Sequence, residues 1–520
     1  MYHPIWLSDI ELEDVDSSAS DGPYQYRWFA LIVICAALLI GQIDMTIVNM
    51  ALPSIASDLD ADTSDLQWVM DAYTITLAGF VLLGGGLAER YGRKGVFMTG
   101  LTIFGAASLT GTWATEIWQL IASRSLMGLG AALFFPPALS IVAVVFPKGE
   151  RAKAIAIWAA AGGIGTVMGP IVGGFLLESW WWGSVLLVNV PVVIAALIGA
   201  AFLIPTSRRP GTPPLDRVGA ALSVAGLGLF IFGIIEGPKH GWTSPLIIGT
   251  LLAGAAFIVA FVLWELRSHF PMLDVRVFRF GGVMAGGLGL TMNLMAVTGA
   301  LFLLPMYLLS VVGESPLVVG LVLVPFGLFF GTLVFTSGPA TEKFGVRRTL
   351  TVGLLGMAAG LVTMSYAPSV SGLWIILLGT AMFGAGAAYV APPGTTAVLD
   401  ALPAAQAGDG SAVNQITRQV GAAFGVAIAG SILASVYSSE LEPSLSGLSS
   451  ADASTADASI DGANTVAATL SSGSQALLDA TDAAFISGYR IAMVVLAGLA
   501  VLTALVVRLK VPPPAEPSSA

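Results

Sequence analysis

The sequence has few of the side chains on which metal centres and disulfide-bonded scaffolds depend. Its 520 residues include a single cysteine, Cys35, and three histidines, His3, His240 and His269. One thiol excludes an intrachain disulfide and a multi-cysteine metal site, and the histidines lie in tails or loops without a second ligand at metal-binding spacing. We therefore predict neither a resident metal nor a cofactor.

Charged residues are scarce as well, at 10% of the chain, whereas 56% of the residues are hydrophobic. An ordinary soluble domain is about 25% charged, and a soluble protein of this composition could not cover its surface with polar groups. The apolar runs are long and lack the alternation of transmembrane strands. The composition therefore predicts an all-α polytopic membrane protein.

Motifs for enzymatic chemistry are missing too. The sequence has no nucleophile–base constellation and no Gly-x-x-x-x-Gly-Lys-Ser/Thr phosphate loop, so we predict that the protein is not an enzyme and is not driven by ATP. We also expect no cleavable signal peptide, because residues 1–26 are acidic and polar. The net charge of −10 is concentrated in segments that we expect to be solvated, which is typical of an acid-rich or high-salt habitat and does not indicate a nucleic-acid partner.

Fourteen apolar runs, each long enough to cross a bilayer, follow one another along the chain. They are residues 27–51, 66–88, 95–113, 117–146, 152–178, 184–204, 217–236, 245–266, 281–310, 316–339, 349–367, 371–391, 408–436 and 484–508. Basic residues concentrate in alternate loops, at 90–94, 148–153, 208–217, 267–279, 343–348 and 508–510. This asymmetry predicts a multi-pass protein of the cell membrane with both termini in the cytoplasm.

The chain contains an internal repeat. Gly85-Gly-Leu-Ala-Glu-Arg-Tyr-Gly-Arg-Lys94 follows the second run, and Gly338-Pro-Ala-Thr-Glu-Lys-Phe-Gly-Val-Arg-Arg348 follows the tenth. The repeat predicts two six-helix bundles with two helices inserted between them. The predicted parts are a tail (1–26), an amino-terminal bundle (27–204), a linker (205–216), the inserted helices (217–266), a carboxy-terminal bundle (281–508) with a largely flexible outer loop (437–483), and a second tail (509–520).

Two of the charged residues inside apolar runs lie at matching depths. Asp44 and Arg124 each lie about seven residues from the outer end of their run, so at 1.5 Å per residue both are about 10 Å deep. A charge at membrane depth indicates a functional site, and an arginine keeps its charge and needs a partner. A pair that separates during a rocking motion could load and release a proton; the alternative is a static structural ion pair.

The fifth run carries glycines at a spacing of four, Gly165, Gly169 and Gly173, followed by Gly174 and interrupted by Pro170. Glycines four apart share one helix face, and small residues there let a second backbone approach closely. Proline removes one hydrogen bond of the helix and bends it. The pattern predicts a tight, bent helix pair.

Four segments together resemble the major facilitator superfamily, and specifically its fourteen-span drug:proton antiporters, in which parallel repeats are a known feature. They are the loop at 85–94, Arg124-Ser-Leu-Met-Gly-Leu-Gly130, the glycine pattern of run five, and Ile43-Asp-Met-Thr-Ile-Val-Asn-Met-Ala-Leu-Pro53. The resemblance covers nearly the whole chain. The chain departs from the family at Glu89, where aspartate is usual, and at Gly183, where the family often has arginine.

The resemblance implies roles for these residues. The latch residues between the halves would be Gly85, Glu89, Arg90, Gly92, Arg93 and Lys94, and the antiporter signature would be Gly165, Gly169, Pro170, Gly173 and Gly174. Proton coupling would rest on Asp44 and Arg124, with Asp71 as a second proton site or simply a solvated helix-start residue. Candidates for the substrate cavity are Asn49, Tyr73, Phe134, Trp158, Met168, Met292, Asn293, Tyr307, Phe326 and Tyr389, chosen because adaptable apolar side chains suit varied ligands.

The resemblance thus implies a monomeric, proton-driven exporter of small amphipathic drugs or antibiotics that works within the lipid bilayer. One alternative keeps this fold but exports a single narrow substrate, such as a self-resistance antibiotic, a lipid or an amino acid. Another is a membrane sensor that transports nothing.

Overall fold

The computed structural model describes residues 24–207, 216–268, 271, 275–367, 373–401, 407–470 and 473–510. Within these ranges the chain forms helices and their connections, and no strand, because in lipid every backbone polar group must find its partner inside its own segment. Both predicted tails and most of the predicted linker at 205–216 lie outside the described residues.

Seven helices form the amino-terminal half: α1 (Arg27–Leu59), α2 (Thr63–Tyr91), α3 (Arg93–Gly111), α4 (Ile117–Val145), α5 (Lys148–Ser179), α6 (Ser184–Leu187) and α7 (Asn189–Leu203). Then come α8 (Arg217–Ile235), α9 (Gly237–His240) and α10 (Pro245–Arg267). The remaining helices are α11 (Gly281–Met306), α12 (Pro316–Val322), α13 (Val324–Phe344), α14 (Val346–Ser365), α15 (Trp374–Ala388), α16 (Ala391–Asp400), α17 (Ala407–Leu441), α18 (Ser450–Ala458), α19 (Ile460–Thr469) and α20 (Ser474–Lys510). Short 3-10 turns lie at Val275–Arg279 and Glu442–Leu445, and one π-helical turn at Tyr307–Val311.

Each of the fourteen predicted runs coincides with a long helix or with two consecutive helices. Among the described side chains, eleven of these segments are long and apolar enough to cross a membrane. The other three are α2, α3 and α5. Within the same bundle, α2 and α3 pack against α4, and α5 packs against α1. The all-helical membrane architecture is confirmed, and the count of fourteen spans is compatible with it.

Two bundles result from this packing. In the first, α2 and α3 pack on α4, and α1 packs on α5 and α7; in the second, α11 packs on α17, and α14 on α15 and α20. The loop repeat found in the sequence is also a structural repeat. Gly92 (φ 108°) joins α2 to α3 and Gly345 (φ 81°) joins α13 to α14, and these left-handed bends favour glycine because it has no Cβ.

The inserted pair α8 and α10 does not stand apart from the bundles. Helix α8 packs on α10 and also touches α2 of the first bundle and α17 of the second. At its outer end Glu236 accepts a hydrogen bond from Trp68 Nε1 (3.0 Å), and Ser431 Oγ donates to the Ile234 carbonyl (2.7 Å). The inserted pair therefore bridges both bundles along one side.

The prediction of a largely flexible loop at 437–483 is wrong for the residues that the structure describes. They form the end of α17, a 3-10 turn, α18, α19 and the start of α20. Ser449 and Ser459 cap α18 and α19 by accepting from the backbone N–H groups of Asp452 and Gly462. The serine- and alanine-rich composition suggested disorder, but alanine is the best helix former and serine a good N-cap.

The bundles meet near one face of the molecule, which we call the outer face because it lies opposite the basic loops. There α5 packs on α12, and a Cβ on Gly320 would lie 2.6 Å from the Pro170 carbonyl oxygen. Helix α2 packs on α17, where Gln67 Nε2 donates to the Ala427 carbonyl (3.0 Å). The structure is thus closed at the outer ends of α2, α5, α12 and α17.

Candidate functional site

The charged residues that the sequence placed at one depth form an ion pair inside the first bundle. Arg124 Nη1 of α4 donates to Asp44 Oδ2 of α1 at 2.6 Å, and both side chains are 0% exposed. The pair joins two helices that are 80 residues apart in sequence. Two charges in such surroundings are stable only when paired and hydrogen-bonded.

The arginine is held by helix α2 as well. Arg124 Nε donates to the Val69 carbonyl (3.1 Å), and the guanidinium lies over the Tyr73 ring, 4.6 Å from its centroid. The two helices can approach this closely because Gly128 faces the backbone of Tyr73, where a Cβ would lie 3.1 Å from its Cα. Among the described residues Arg124 Nη2 has no hydrogen-bond partner, so the guanidinium keeps the two N–H groups of this nitrogen free.

A third residue, Asn189, completes the site and was not among the residues predicted for it. Its Nδ2 donates to Asp44 Oδ1 (2.8 Å) and to Ser108 Oγ (3.0 Å), and Ser108 in turn donates to the Leu186 carbonyl (2.8 Å). Asn189 is the first residue of α7, directly after the short helix α6. A polar residue inside the apolar run at 184–204, in Asn189-Val-Pro191, was the signal for it in the sequence.

The glycines of α5 have two different neighbours. Gly165, Gly169 and Gly173 face α1: a Cβ at these positions would lie 2.7 Å from the Leu39 carbonyl oxygen, 2.9 Å from that of Ile43 and 2.9 Å from Ile47 Cγ1. Gly174 instead faces α12 of the second bundle, where a Cβ would lie 3.0 Å from Leu317 Cα. Helix α5, which contains Pro170, thus packs beside Asp44 on one face and against the opposite bundle on another.

Asp71 is a second buried carboxylate, at 0% exposure in α2. Neither of its oxygens has a hydrogen-bond partner among the described residues. It lies one helical turn from Gln67, which bonds to α17, and one turn from Ile75, which packs with Ala423 and Ala427 of α17. Residues four apart share a helix face, so Asp71 lies on the side of α2 that meets the second bundle.

In the bonds that the structure describes, the loop at 85–94 contacts its own bundle and the segment that follows α7. The Arg93 backbone N–H donates to the Ser207 carbonyl (3.0 Å), and Lys94 Nζ to the Ala201 carbonyl (2.7 Å). Gly92 is at the bend, as the sequence predicts, while Gly85 lies within α2 and Arg90 lies over the Tyr91 ring. The side chain of Glu89 lies outside the description.

The candidates for the substrate cavity divide into two groups. Six are buried: Asn49, Tyr73, Phe134, Met292, Asn293 and Tyr307. Phe134 packs edge-on against Phe104 and Phe135 inside the first bundle, so aromatic side chains of α3 and α4 enclose its ring. Tyr307 likewise stacks on Tyr489 at 4.8 Å.

The other four candidates keep some exposed surface: Trp158, Met168, Phe326 and Tyr389. Tyr389 Oη lies 2.8 Å from Thr336 Oγ1 in the second bundle. Phe326 lines a small apolar cavity with Leu304 and Phe383. Within the described part of the chain, no group of three or more His, Cys, Asp or Glu side chains could hold a metal ion.

Known proteins match nearly the whole chain. The multidrug resistance protein Stp of Mycobacterium tuberculosis is 33% identical over 404 residues, 78% of this chain and 75% of Stp. The probable actinorhodin transporter of Streptomyces coelicolor is 33% identical over 442 residues (82% and 76%). The methyl viologen resistance protein SmvA of Salmonella typhimurium is 30% identical over 472 residues (90% and 94%).

Solved structures share the fold. A bacterial homologue of the human lysosomal transporter Spinster, in an inward-facing conformation, superposes with a TM-score of 0.66 at 18% identity over 95% of this chain and 100% of that one. The family model described as Major Facilitator Superfamily matches residues 34–302 and 286–441. The chain therefore belongs to the Major Facilitator Superfamily.

Proposed function

We propose that the protein exports amphipathic drugs or antibiotics across the cell membrane in exchange for protons. The names of its relatives support the substrate class, since they include multidrug resistance, actinorhodin transport and methyl viologen resistance. The basic loops support the orientation, with both termini and the Arg93 loop in the cytoplasm and the outer face outside. The protein acts as a monomer in the lipid bilayer, since the Asp44–Arg124–Asn189 cluster is built from the helices of one chain.

The observation that carries the proton coupling is the Asp44–Arg124–Asn189 constellation. With Arg124 in place the carboxylate is charge-paired and needs no proton. If α4 moves away from α1, Asp44 is left unpaired at membrane depth, where a neutral acid costs far less than a carboxylate. The acid then binds a proton, and the proton leaves when the arginine returns.

Helix α5 connects this pair mechanically to the outer seam, by which we mean the contacts of α5 with α12 and of α2 with α17 at the outer face. Its glycines pack on α1 around Asp44, and Gly174 packs on α12 across the outer seam. A tilt that separates α5 from α12 therefore also shifts the surface against which Ile43 and Thr46 pack. In this way the opening of the outer seam is coupled to the surroundings of Asp44, as alternating access requires.

Asp71 is proposed as a second proton site, because it is buried at the seam between α2 and α17 and has no polar partner within the described part of the chain. An ionised carboxylate would be costly there, so the closed seam favours the protonated acid. When α2 and α17 separate, water from outside reaches Asp71, and the acid must bind a proton from outside before the seam can close over it again. The protonation of Asp71 thus depends on whether the seam is closed, whereas the protonation of Asp44 depends on the position of Arg124.

The test is transport into proteoliposomes with an imposed pH gradient, comparing the wild type with Asp44→Asn. We expect the wild type to accumulate substrate against its gradient and the variant to lose this uphill transport. Counterflow exchange, which needs no proton gradient, controls for folding and substrate binding and should survive in the variant. Unchanged uphill transport by Asp44→Asn would falsify the proposed role of Asp44.

The two alternatives make different predictions in the same assay. A narrow exporter would show no competition between chemically unrelated substrates, whereas the proposed drug exporter shows mutual inhibition between, for example, a planar cationic dye and a neutral antibiotic. A sensor would show no gradient-driven flux of any compound.

A further inference from the structure

The outer face carries a groove that none of the residues discussed so far explains. It has a volume of about 410 Å³ and is lined by Met50, Pro53, Ser54, Ser57, Asp58, Trp180, Trp181, Trp182, Leu309 and Pro316. We refer to it as the tryptophan groove. Three consecutive indoles and one carboxylate line this groove. Aromatic and acidic side chains together suit an organic cation, because both attract positive charge.

The three indoles are held by the sharp connection between α5 and α6. The Trp180 backbone N–H donates to the Leu176 carbonyl (2.8 Å) and that of Ser184 to the Trp181 carbonyl (3.0 Å). Trp182 is buried at 5% exposure, whereas Trp180 and Trp181 are 56% and 47% exposed. Two large indole surfaces therefore remain available to a ligand on a rigid turn.

The carboxylate in the groove is available too. Asp58 lies near the end of α1, is exposed, and forms no ion pair among the described residues. Lys239, on the same outer face, pairs with Asp62 instead, at 2.6 Å. Asp58 thus supplies an uncompensated negative charge beside the indoles.

Tryptophans at a membrane interface often anchor a protein among lipid headgroups. Here, however, the other walls of the groove come from protein, with Leu309 and Pro316 contributed by the second bundle. Such walls exist only while the outer seam is closed. A ligand in the groove would therefore favour the outer-closed arrangement.

We infer that the tryptophan groove is an outer binding site for organic cations with a flat apolar body, separate from the Asp44 site. The choice of ligand rests on the proposed export of amphipathic drugs, while the site itself rests on the lining residues. An exported cation that rebinds here from outside would hold the outer seam closed and slow further export.

The inference is tested by calorimetric titration of the full chain in lipid nanodiscs with methyl viologen, a planar dication. Its uncharged parent, 4,4′-bipyridine, is the matched control ligand. No pH gradient is present, so the result does not depend on proton coupling, and failure of the Asp44→Asn transport test would leave it unaffected.

We expect Asp58→Asn to weaken methyl viologen binding about fivefold, as for an exposed charge pair, and Trp181→Leu to weaken it about fivefold through the lost cation–π contact. The matched control is Asp60→Asn, which removes the same charge two residues away but outside the groove. Asp60 has φ 51°, which asparagine tolerates. This control should leave the affinity within about twofold.

Three results would overturn the inference: no binding to the wild type, equal affinity for 4,4′-bipyridine, or equal weakening by Asp60→Asn and Asp58→Asn. The last would mean that the ligand responds only to the acidic surface as a whole. Thermal unfolding of each variant, measured alongside, shows whether a lost affinity comes from a lost fold.

Discussion

Asp44 and Asp71 are both fully buried carboxylates in neighbouring helices of the first bundle, yet their surroundings differ in kind. Asp44 has an arginine at 2.6 Å and an asparagine at 2.8 Å, whereas Asp71 has no polar partner among the described residues. The first is buried as half of an ion pair inside one bundle. The second is buried at the seam between two bundles. The comparison shows that depth in the membrane alone does not define the chemistry of an acid.

The largest effect should follow from removing the cation of the paired site. Arg124→Gln leaves Asp44 buried without compensation, and we expect a loss of about 3–5 kcal/mol in stability together with loss of uphill transport. Thermal unfolding in detergent and proteoliposome flux measure the two effects. Arg124→Lys, which keeps the charge but not the forked geometry, should be intermediate. A variant Arg124→Gln as stable as the wild type would mean that the pair does not stabilise this bundle.

A larger side chain at the outer seam should affect the two acids differently. It opens the surroundings of Asp71, whereas it removes no partner of Asp44. Gly174→Val places a branched side chain against Leu317, and overpacking of this kind costs about 1–3 kcal/mol. We expect the seam to part. The matched control is Gly331→Val, since a Cβ at Gly331 meets nothing within 4 Å.

Opening is measured by thiol labelling of Ser431→Cys in a Cys35→Ser background. Ser431 is 3% exposed in the closed seam, so a membrane-impermeant reagent should label it faster in the Gly174→Val protein than in the Gly331→Val protein. Equal labelling of the two would show that the α5–α12 contact does not hold the outer side closed.

Neutralising the unpaired acid should have little effect on stability, in contrast to the paired site. Asp71→Asn removes no hydrogen bond or ion pair among the described residues, so we expect a change of about 1 kcal/mol or less. The number of protons exchanged per substrate, measured from reversal potentials, should stay unchanged, because a proton that remains on Asp71 in the closed seam is not delivered to the inside. The dependence of transport on external pH should weaken. A loss of stability comparable to that of Arg124→Gln would indicate that Asp71 is ionised and paired.

The smallest effect should come from an acid that is partly buried outside the membrane-spanning segments. Burial raises the pKa of Asp461 in α19 from 3.8 to about 6. The packed state therefore binds the proton more tightly, so this contribution to stability is fully present below about pH 4 and is lost as the pH rises through about 6.

Asp461→Asn stays neutral at every pH and should therefore stabilise the packing of α19 at pH 7.5 but not at pH 4. Hydrogen exchange over residues 460–469, compared between variant and wild type at each pH, provides the measurement. Slower exchange in the variant is expected at pH 7.5 only. A difference of the same size at pH 4 would mean that ionisation of Asp461 is not the cause.

Much of the fold was predictable because membrane helices are long apolar runs and their loops carry a charge bias. The meeting of Asp44 and Arg124 was predictable as well, since counting residues from the ends of two runs gives the depth of each. The close packing of Gly165, Gly169 and Gly173 followed from their spacing of four. These three results depend on run lengths and residue spacings, which can be counted along the sequence.

Other features could not be predicted, since they depend on which helices become neighbours. Asn189 joins the charged pair only because α7 starts beside α1, and Phe134 packs inside the bundle because α3 and α4 approach through Gly100 and Gly130. The outer segment at 437–483 is helical because its alanines find apolar partners, Ile460 and Val466 among those buried.

The sequence by itself determined that the chain is a helical membrane protein with two related halves and a charged pair at one depth, because hydrophobic length, basic loops and repeats are properties of the linear chain. Only the tertiary structure decided that Asp44 is paired while Asp71 is not, that Gly174 faces the opposite bundle, and that three tryptophans share a groove with Asp58. Each of these depends on the rotation of one helix against another, and side-chain packing between distant segments sets that rotation.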